Sequence, residues 1–168
     1  MRKMCVGVFA SFALLMGSAA SAQVTGSVGY THLDEEVSVG ALQGTIGYRL
    51  PVMEGTAGSG FFIPELRAGV GINDDTVGGV KVEIDNYYGL APRFQYEADT
   101  GFYGFVQASY VNYSVKGSTM GISVSDSSWE FGGGLGVGMA FSQALGAEVS
   151  WERVDSADVF NVSMRFGF

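Results

Sequence analysis

Eight stretches with apolar side chains at every second residue, a chain end that stays apolar to its last residue, and no helix-length apolar run after residue 22 predict an all-β protein. The specific expectation is an eight-stranded antiparallel up-and-down β-barrel that crosses a membrane. A period of two marks an extended strand, because successive side chains point to opposite sides. At the C-terminus Phe160, Val162, Met164, Phe166 and Phe168 fall on one side, against Val159, Asn161, Ser163, Arg165 and Gly167 on the other. Soluble domains usually fray into polar residues at their ends, so this face needs an apolar cover. The composition agrees: 26 glycines, 13% aromatic and only 15% charged residues, with a positive mean hydropathy. The most apolar later stretch, Gly132 to Phe141, is full of glycine, which disfavours a helix. Apolar content spread over alternate positions of many strands fits a barrel in lipid.

Residues 1–22 read as a cleaved signal peptide. Arg2 and Lys3 give the positive start, Met4 to Met16 the apolar core, and Ala20-Ser21-Ala22 the small-residue cleavage site. That core is shorter than the roughly 20 residues a membrane-spanning helix needs. The only cysteine, Cys5, lies inside it, so the expected mature chain, residues 23–168, has neither a disulfide nor a thiolate to use. Losing Arg2 and Lys3 from nine basic residues leaves seven against 17 acidic ones, a net charge of −10. The few Lys and Arg are scattered singly, which argues against a nucleic-acid partner.

The strands follow in order. The first runs over about 24–32, with Val24, Val28 and Tyr30 on one side, until Asp34-Glu35-Glu36 breaks it. The second covers 39–50, with Leu42, Ile46, Tyr48 and Leu50 against Gln43, Thr45, Gly47 and Arg49, and Pro51 closes it. After a connection of small residues, the third, 62–72, sets Leu66, Ala68, Val70 and Ile72 opposite Glu65 and Arg67, with Pro64 near an end or a bulge. Asn73-Asp74-Asp75 and Gly78-Gly79 supply loop chemistry. In the fourth, 80–96, Val82, Ile84, Tyr88, Leu90, Phe94 and Tyr96 share one parity. The fifth, 102–115, is two-faced: Val106, Ala108 and Tyr110 compete with Tyr103, Phe105, Val111 and Tyr113 for the apolar side, and a bulge could switch parity. Lys116 to Ser127 reads as the longest loop. In the sixth, 128–141, Trp129, Phe131, Leu135, Val137, Met139 and Phe141 oppose an almost bare glycine face. The seventh, 145–154, and the C-terminal strand complete an even number, which returns both ends to one side.

The strand charges decide which face looks outward. Arg49, Glu65, Arg67, Arg93, Glu130, Glu148, Glu152 and Arg165 sit opposite the apolar stripe and are mixed in sign. An eight-stranded interior is just wide enough for side chains to fill, so these eight are expected to form a luminal polar core, with the strand-six glycines making room for them. The apolar parity then faces lipid, with Arg153 tolerated near a strand end. Trp129, Trp151, Tyr30, Tyr48, Tyr88 and Tyr96 fit interfacial girdles.

From residue 23 to the end the chain resembles the OmpA/OmpX-like family of small outer-membrane β-barrel proteins, often called porin family proteins. The resemblance rests on the leader, Gly44-Thr45-Ile46-Gly47-Tyr48-Arg49, Asp85-Asn86-Tyr87-Tyr88-Gly89-Leu90, Gly132 to Gly138 and the terminal Arg165-Phe166-Gly167-Phe168. The chain end also resembles the C-terminal signal of such barrels: Asn161, Phe166 and Phe168 match, while Ser163 stands where a glycine is usual. The resemblance implies residence in the outer membrane, lipid and lipopolysaccharide as partners, the barrel-assembly machinery as the reader of the C-terminal strand, and a monomer. It implies little about activity.

No enzyme is expected. His32 is the only histidine, next to Asp34 at the end of strand one, and a catalytic pairing with Asp34 and a loop serine is conceivable. So are glycoside-type acid and base carboxylates in the Glu-Arg cluster, which a packed lumen without a cleft disfavours. No nucleophile elbow, phosphate loop or metal-ligand spacing occurs, so neither cofactor nor metal is expected. Asp34, Glu35, Asp74, Asp75, Asp155 and Asp158 gather in loops at one end and are candidates for weak Ca²⁺ or Mg²⁺ binding, although none shows ligand spacing. The function expected is structural, in envelope integrity or surface interaction; a soluble periplasmic lipocalin-like ligand-binding barrel and a lipid-modifying barrel enzyme are the alternatives.

Overall fold

The computed structural model describes residues 24–34, 38–77, 80–119 and 122–167. The expected leader, Glu35 and Phe168 therefore lie outside the described residues. Twelve strand segments follow one another: β1 (Val24–Asp34), β2 (Ser38–Tyr48), β3 (Leu50–Gly55), β4 (Gly58–Ile63), β5 (Glu65–Gly71), β6 (Asp74–Val77), β7 (Val80–Leu90), β8 (Arg93–Ala98), β9 (Phe102–Thr119), β10 (Ile122–Ala140), β11 (Leu145–Val154) and β12 (Ala157–Gly167). They make eight staves. β2 with β3, β4 to β6, and β7 with β8 are single staves interrupted at Arg49, at Pro64 and Ile72–Asn73, and at Ala91–Pro92.

All pairings are antiparallel, and β12 pairs with β1 from Thr25↔Gly167 to Asp34↔Asp158, so the sheet closes on itself. A path of paired residues can be followed once round the ring from Glu97 through Tyr103, Gly138, Glu148, Ser163, Gly29, Gln43 and Gly69. It returns to the starting stave at Tyr87, a stagger of ten residues, from 97 to 87. That stagger tilts the strands and, with eight staves, fixes an interior that side chains can fill.

Tight turns at Thr56–Ala57, Asp99–Gly101 and Phe141–Ala144 lie at the same end as Val24 and Gly167, with Gly101 in the left-handed region at φ 83. Short turns mark the periplasmic end of such barrels. The opposite, outer end carries two hairpins that continue the sheet, β6–β7 and β9–β10. This corrects the expected long loop at Lys116 to Ser127: its alternating Ser and Val residues pair across from Ile122↔Thr119 inward without a register break. Nor does Pro51 end its stave. β3 pairs with β4 alone among the described residues, and a proline is tolerated on such a one-sided edge because no ladder bond is lost there.

The outward side chains of the central region are aliphatic or glycine, among them Val28, Ile46, Leu66, Leu90, Val106, Leu135, Val149 and Val162, all exposed. Aromatic residues flank this band. Tyr48, Phe94, Tyr96 and Phe102 lie towards the turn end; Tyr30, Tyr88, Tyr110, Trp129, Trp151 and Phe160 lie towards the outer end. Tyr110 contacts Trp129 and Phe131 at 4.7 and 4.6 Å between ring centroids, and Trp151 Nε1 donates to Asp158 Oδ1 at 3.1 Å. Polar and charged residues are buried on the opposite parity, the reverse of a lipocalin.

Two parities needed the structure. On β9, Tyr103, Phe105, Ser109, Val111 and Tyr113 point inward and Val106, Ala108 and Tyr110 outward, with no switch along the strand. The irregularity lies instead on the neighbouring β7, where the register shifts between Ile84 and Asn86. Asp85 is the extra residue, and it turns Ile84 into the lumen, against the expectation that Ile84 shares the outward parity of Tyr88 and Leu90.

If the exposed aliphatic band is the lipid contact, Val149→Arg at mid-strand should cost about 2–4 kcal/mol and Val24→Arg at a strand end about 0–1. Reversible urea unfolding in phospholipid vesicles measures both, and equal costs would contradict the assigned depth.

Candidate functional site: the ion-paired lumen

The inward parity of four staves brings Glu65 and Arg67 from β5, Arg93 from β8, Glu148 and Glu152 from β11 and Arg165 from β12 into the buried lumen, as two ion-paired groups that line one cavity. Three guanidinium groups face three carboxylates. Arg67 Nη1 bonds Glu152 Oε2 at 2.8 Å, and Gln107 Nε2 donates to the same oxygen at 2.9 Å. Ser109 Oγ donates to the other oxygen of Glu152. Arg93 Nη1 lies 3.1 Å from Glu148 Oε2 and its Nη2 donates to Gln95 Oε1 at 2.5 Å. Arg165 bridges Glu65 and, at 3.5 Å, Glu148. Tyr103 OH and Ser163 Oγ each donate to Glu148 at 3.2 Å. Hydrogen bonds on nearly every carboxylate oxygen are what allow charges to be buried at all.

Two further members of the expected set stand apart. Arg49, at the stave break near the turn end, pairs with Glu97 at 2.5 Å and lies 4.0 Å over the Phe61 ring. Glu130, further out on the same parity as the glycines of β10, is half-buried and takes part in none of the ion pairs among the described residues. The glycine wall is also used differently from the expectation. A Cβ at Gly136 would strike the ring of Phe105, and one at Gly138 the ring of Tyr103. These rings from β9 lie flat on the bare strand, and Arg93 stacks over Phe105 at 4.2 Å. Residues missed in the sequence, Tyr103, Phe105, Gln95, Gln107 and Ser109, all sit on strands whose inward parity was unresolved or was scanned for charges alone.

Asn161 is buried, and its Nδ2 donates to Thr31 Oγ1 at 2.9 Å and to the Tyr30 carbonyl at 3.3 Å, tying β12 to β1 across the closure. Phe166 is partly buried near the turn end.

At the outer rim the acidic residues have other partners. Asp75 accepts hydrogen bonds from the Ser38 and Thr76 amides at 3.1 and 2.7 Å, which hold its carboxyl below the ordinary aspartate range. Asp158 takes the Trp151 indole, Asp74 has an interaction of its own, and Asp155 occupies a left-handed turn position at φ 51. Asp34 faces Asp158 across the β1–β12 pair. Among the described residues no three acidic or histidine side chains converge as metal ligands. His32 Nε2 lies 3.5 Å from Ser38 Oγ.

An antiparallel ring with an apolar belt outside and paired charges inside defines a transmembrane β-barrel of the outer-membrane kind. The chain belongs to the outer membrane protein beta-barrel domain family, whose sequence model matches residues 5–168. Among solved structures, the N-terminal β-barrel domain of Pseudomonas aeruginosa OprF is similar at 12% identity and a TM-score of 0.63, over 87% of this chain and 98% of that one. Ail, the attachment invasion locus protein of Yersinia pestis, is similar at 14% identity and 0.55, over 86% and 95%. The outer membrane enzyme PagL is similar at 16% and 0.53, over 86% and 97%. These share the fold. No curated protein matches the sequence. The protein resides in the outer membrane.

Glu148 is the hub of the network, shared by Arg93 and Arg165. Glu148→Ala leaves two buried cations facing the single carboxylate of Glu65 and should destabilise the barrel by about 3–5 kcal/mol in urea unfolding; a change under about 1 kcal/mol would mean the network is dispensable.

The Asp75 contacts predict a pH effect with a definite sign. Because the folded carboxyl titrates below its unfolded value, the stabilisation of the β2–β6 contact is present above the ordinary aspartate range and is lost as pH falls through the depressed value. The Ser38 amide resonance, followed by NMR in nanodiscs, should therefore titrate below that range and stop titrating in Asp75→Asn.

Proposed function

We propose that the protein is a non-enzymatic outer-membrane barrel with a structural role in envelope integrity or surface interaction, residues 23–168 forming the mature barrel after loss of residues 1–22. The filled lumen carries this reading. Six buried charges and the rings of Tyr103 and Phe105 occupy the cross-section, and the cavity among them, lined by Ser27, Gln43, Arg67, Arg93 and Ser150, is about 10 Å³, room for one water. Such an interior supports neither a substrate cleft nor an open channel. The belt meets lipid and lipopolysaccharide, the outer hairpins and acidic rim face the surroundings, and the C-terminal strand with Asn161, Phe166 and Phe168 is read by the barrel-assembly machinery. The barrel acts as a monomer.

The test is direct. The folded protein should remain with membranes, migrate faster than its boiled form on gels, and give no conductance steps in planar bilayers. Regular ohmic steps would replace this reading with a channel.

One observation favours a second reading, a lipid-modifying enzyme: the approach of His32 to Ser38 on outward positions at the outer rim. Among the described residues no carboxylate is bonded to the other ring nitrogen, as a general base requires for its orientation. Lipid deacylation by the purified barrel, abolished in both His32→Ala and Ser38→Ala, would establish it; the structural reading expects no such activity.

A further inference from the structure

The lumen divides into two tiers of opposite chemistry. Beyond the ion-paired network, towards the outer end, the inward side chains become Val39, Tyr87, Val111, Tyr113, Val154 and Val159, which form one packed apolar cluster. They come from β2, β7, β9, β11 and β12, and Leu33 of β1 packs against them, so the cluster reaches round most of the ring; on β10 the half-buried Glu130, opposite Val111, brings a carboxylate to its edge. The Tyr87 ring fills the space that a Cβ on Gly69 of β5 would take, which closes the cluster on that side. The rings of Tyr87 and Tyr113 lie 5.2 Å apart, and the Tyr87 hydroxyl points down to donate to Gln43 Oε1 at 2.8 Å. The phenol thus presents its polar tip to the lower tier and its ring to the seal.

The two ends of the lumen differ in access. Each cluster side chain is at most 8% exposed, whereas Arg49 and Glu97 at the turn end expose 23% and 28% of theirs. Between them Arg67 Nε is buried without a hydrogen-bond partner among the described residues, Arg93 Nε has only the Glu65 carboxylate at 3.5 Å, and both side chains line the water-sized cavity. Buried donors of this kind are ordinarily met by water. Charged side chains can exchange one partner for water or a passing ion. An apolar constriction offers neither and stays dry.

We propose that the apolar septum, and not the ion-pair network, closes the lumen to the outside, and that the network is a hydrated chamber communicating with the periplasmic mouth alone. This rests on the closed-barrel reading above. Ser150 lines the cavity, and the only cysteine in the chain, Cys5, lies in the expected leader. Ser150→Cys is therefore a clean reporter in the barrel.

The experiment uses proteoliposomes carrying the barrel with its loops outward, silver ion as the thiol reagent, and labelling of the remaining thiol after unfolding. Silver from the loop side should react at least about tenfold more slowly than from the opposite side, because it must cross the dry tier. Adding Tyr87→Ser with Tyr113→Ser should remove the difference, and Val111→Ser, a smaller change at the same level, should reduce it if the double variant fails to show heat-modifiable mobility. Arg67→Met with Glu152→Gln should leave the difference intact. Equal access from both sides, no access from either, or loop-side access opened by the ion-pair variant alone would overturn the septum. A parent barrel that conducts ions would instead overturn the closed-barrel reading on which the septum rests.

Discussion

Hydrocarbon offers no hydrogen-bond partner, and that constraint governs the whole molecule. A strand edge left open in lipid would strand a row of amides and carbonyls at several kcal/mol apiece. The ten-residue ladder between β1 and β12 removes that edge, and Asn161 reinforces it by bonding both the backbone and a side chain of β1. Where the ladder is interrupted, at Arg49, Pro64 and Ala91–Pro92, the gaps sit on neighbouring staves and are bridged. The Tyr48 amide bonds the Pro64 carbonyl at 3.3 Å, the Ala91 amide the Glu65 carbonyl at 2.8 Å, and the Ala108 amide the Pro92 carbonyl at 3.0 Å. The two prolines are tolerated because the crease uses their carbonyls and does not need their missing donors.

Closure then dictates the interior. Eight staves with a stagger of ten leave a space that must be filled, and every inward residue comes from the parity that lipid rejects. A polar filling is available only if it is neutral overall and bonded at nearly every atom. Three Arg and three Glu satisfy the first condition; Gln95, Gln107, Ser109, Tyr103 and Ser163 satisfy the second. The glycines of β10 serve packing density. Without side chains of their own they let two aromatic rings lie against the wall, and Arg93 stacks on one of them, Phe105.

Much of this was legible because period-two alternation survives in nearly every stave, and a charge on the inward parity stands out against it. Glu65, Arg67, Arg93, Glu148, Glu152 and Arg165 could be picked out by parity alone. Their pairing could not, since it depends on the stagger, a property of the closed ring that no single strand encodes. Ile84 was misread for a related reason: one extra residue, Asp85, reverses the facing of everything before it while leaving the alternation intact to the eye. The Lys116 to Ser127 segment reads as loop because its sequence carries little apolar alternation, although its described residues pair as a hairpin. β9 was ambiguous because both of its faces are apolar. Its outward side meets lipid, and its inward side meets glycine below and the apolar tier above.

That last ambiguity contains the logic of the lumen. A strand apolar on both faces is expected in a soluble core and is unusual in a small membrane barrel, whose inward face is ordinarily polar. β9 is polar inside only at Gln107 and Ser109; Tyr103 and Phe105 precede them, and Val111 and Tyr113 follow. The change from Ser109 to Val111 is the floor of the apolar tier, and two further staves change character with it, from Glu152 to Val154 on β11 and from Asn161 to Val159 on β12, whereas β10, between β9 and β11, sets the half-buried Glu130 opposite Val111. Three strands that switch together, each within two residues, describe a horizontal boundary across the cylinder. A filling chosen for bulk alone would have no reason to change chemistry at one level, so the boundary fits two jobs: ion pairs brace the wall where lipid presses on it from all sides, and the apolar tier shuts that hydrated brace off from the outer side.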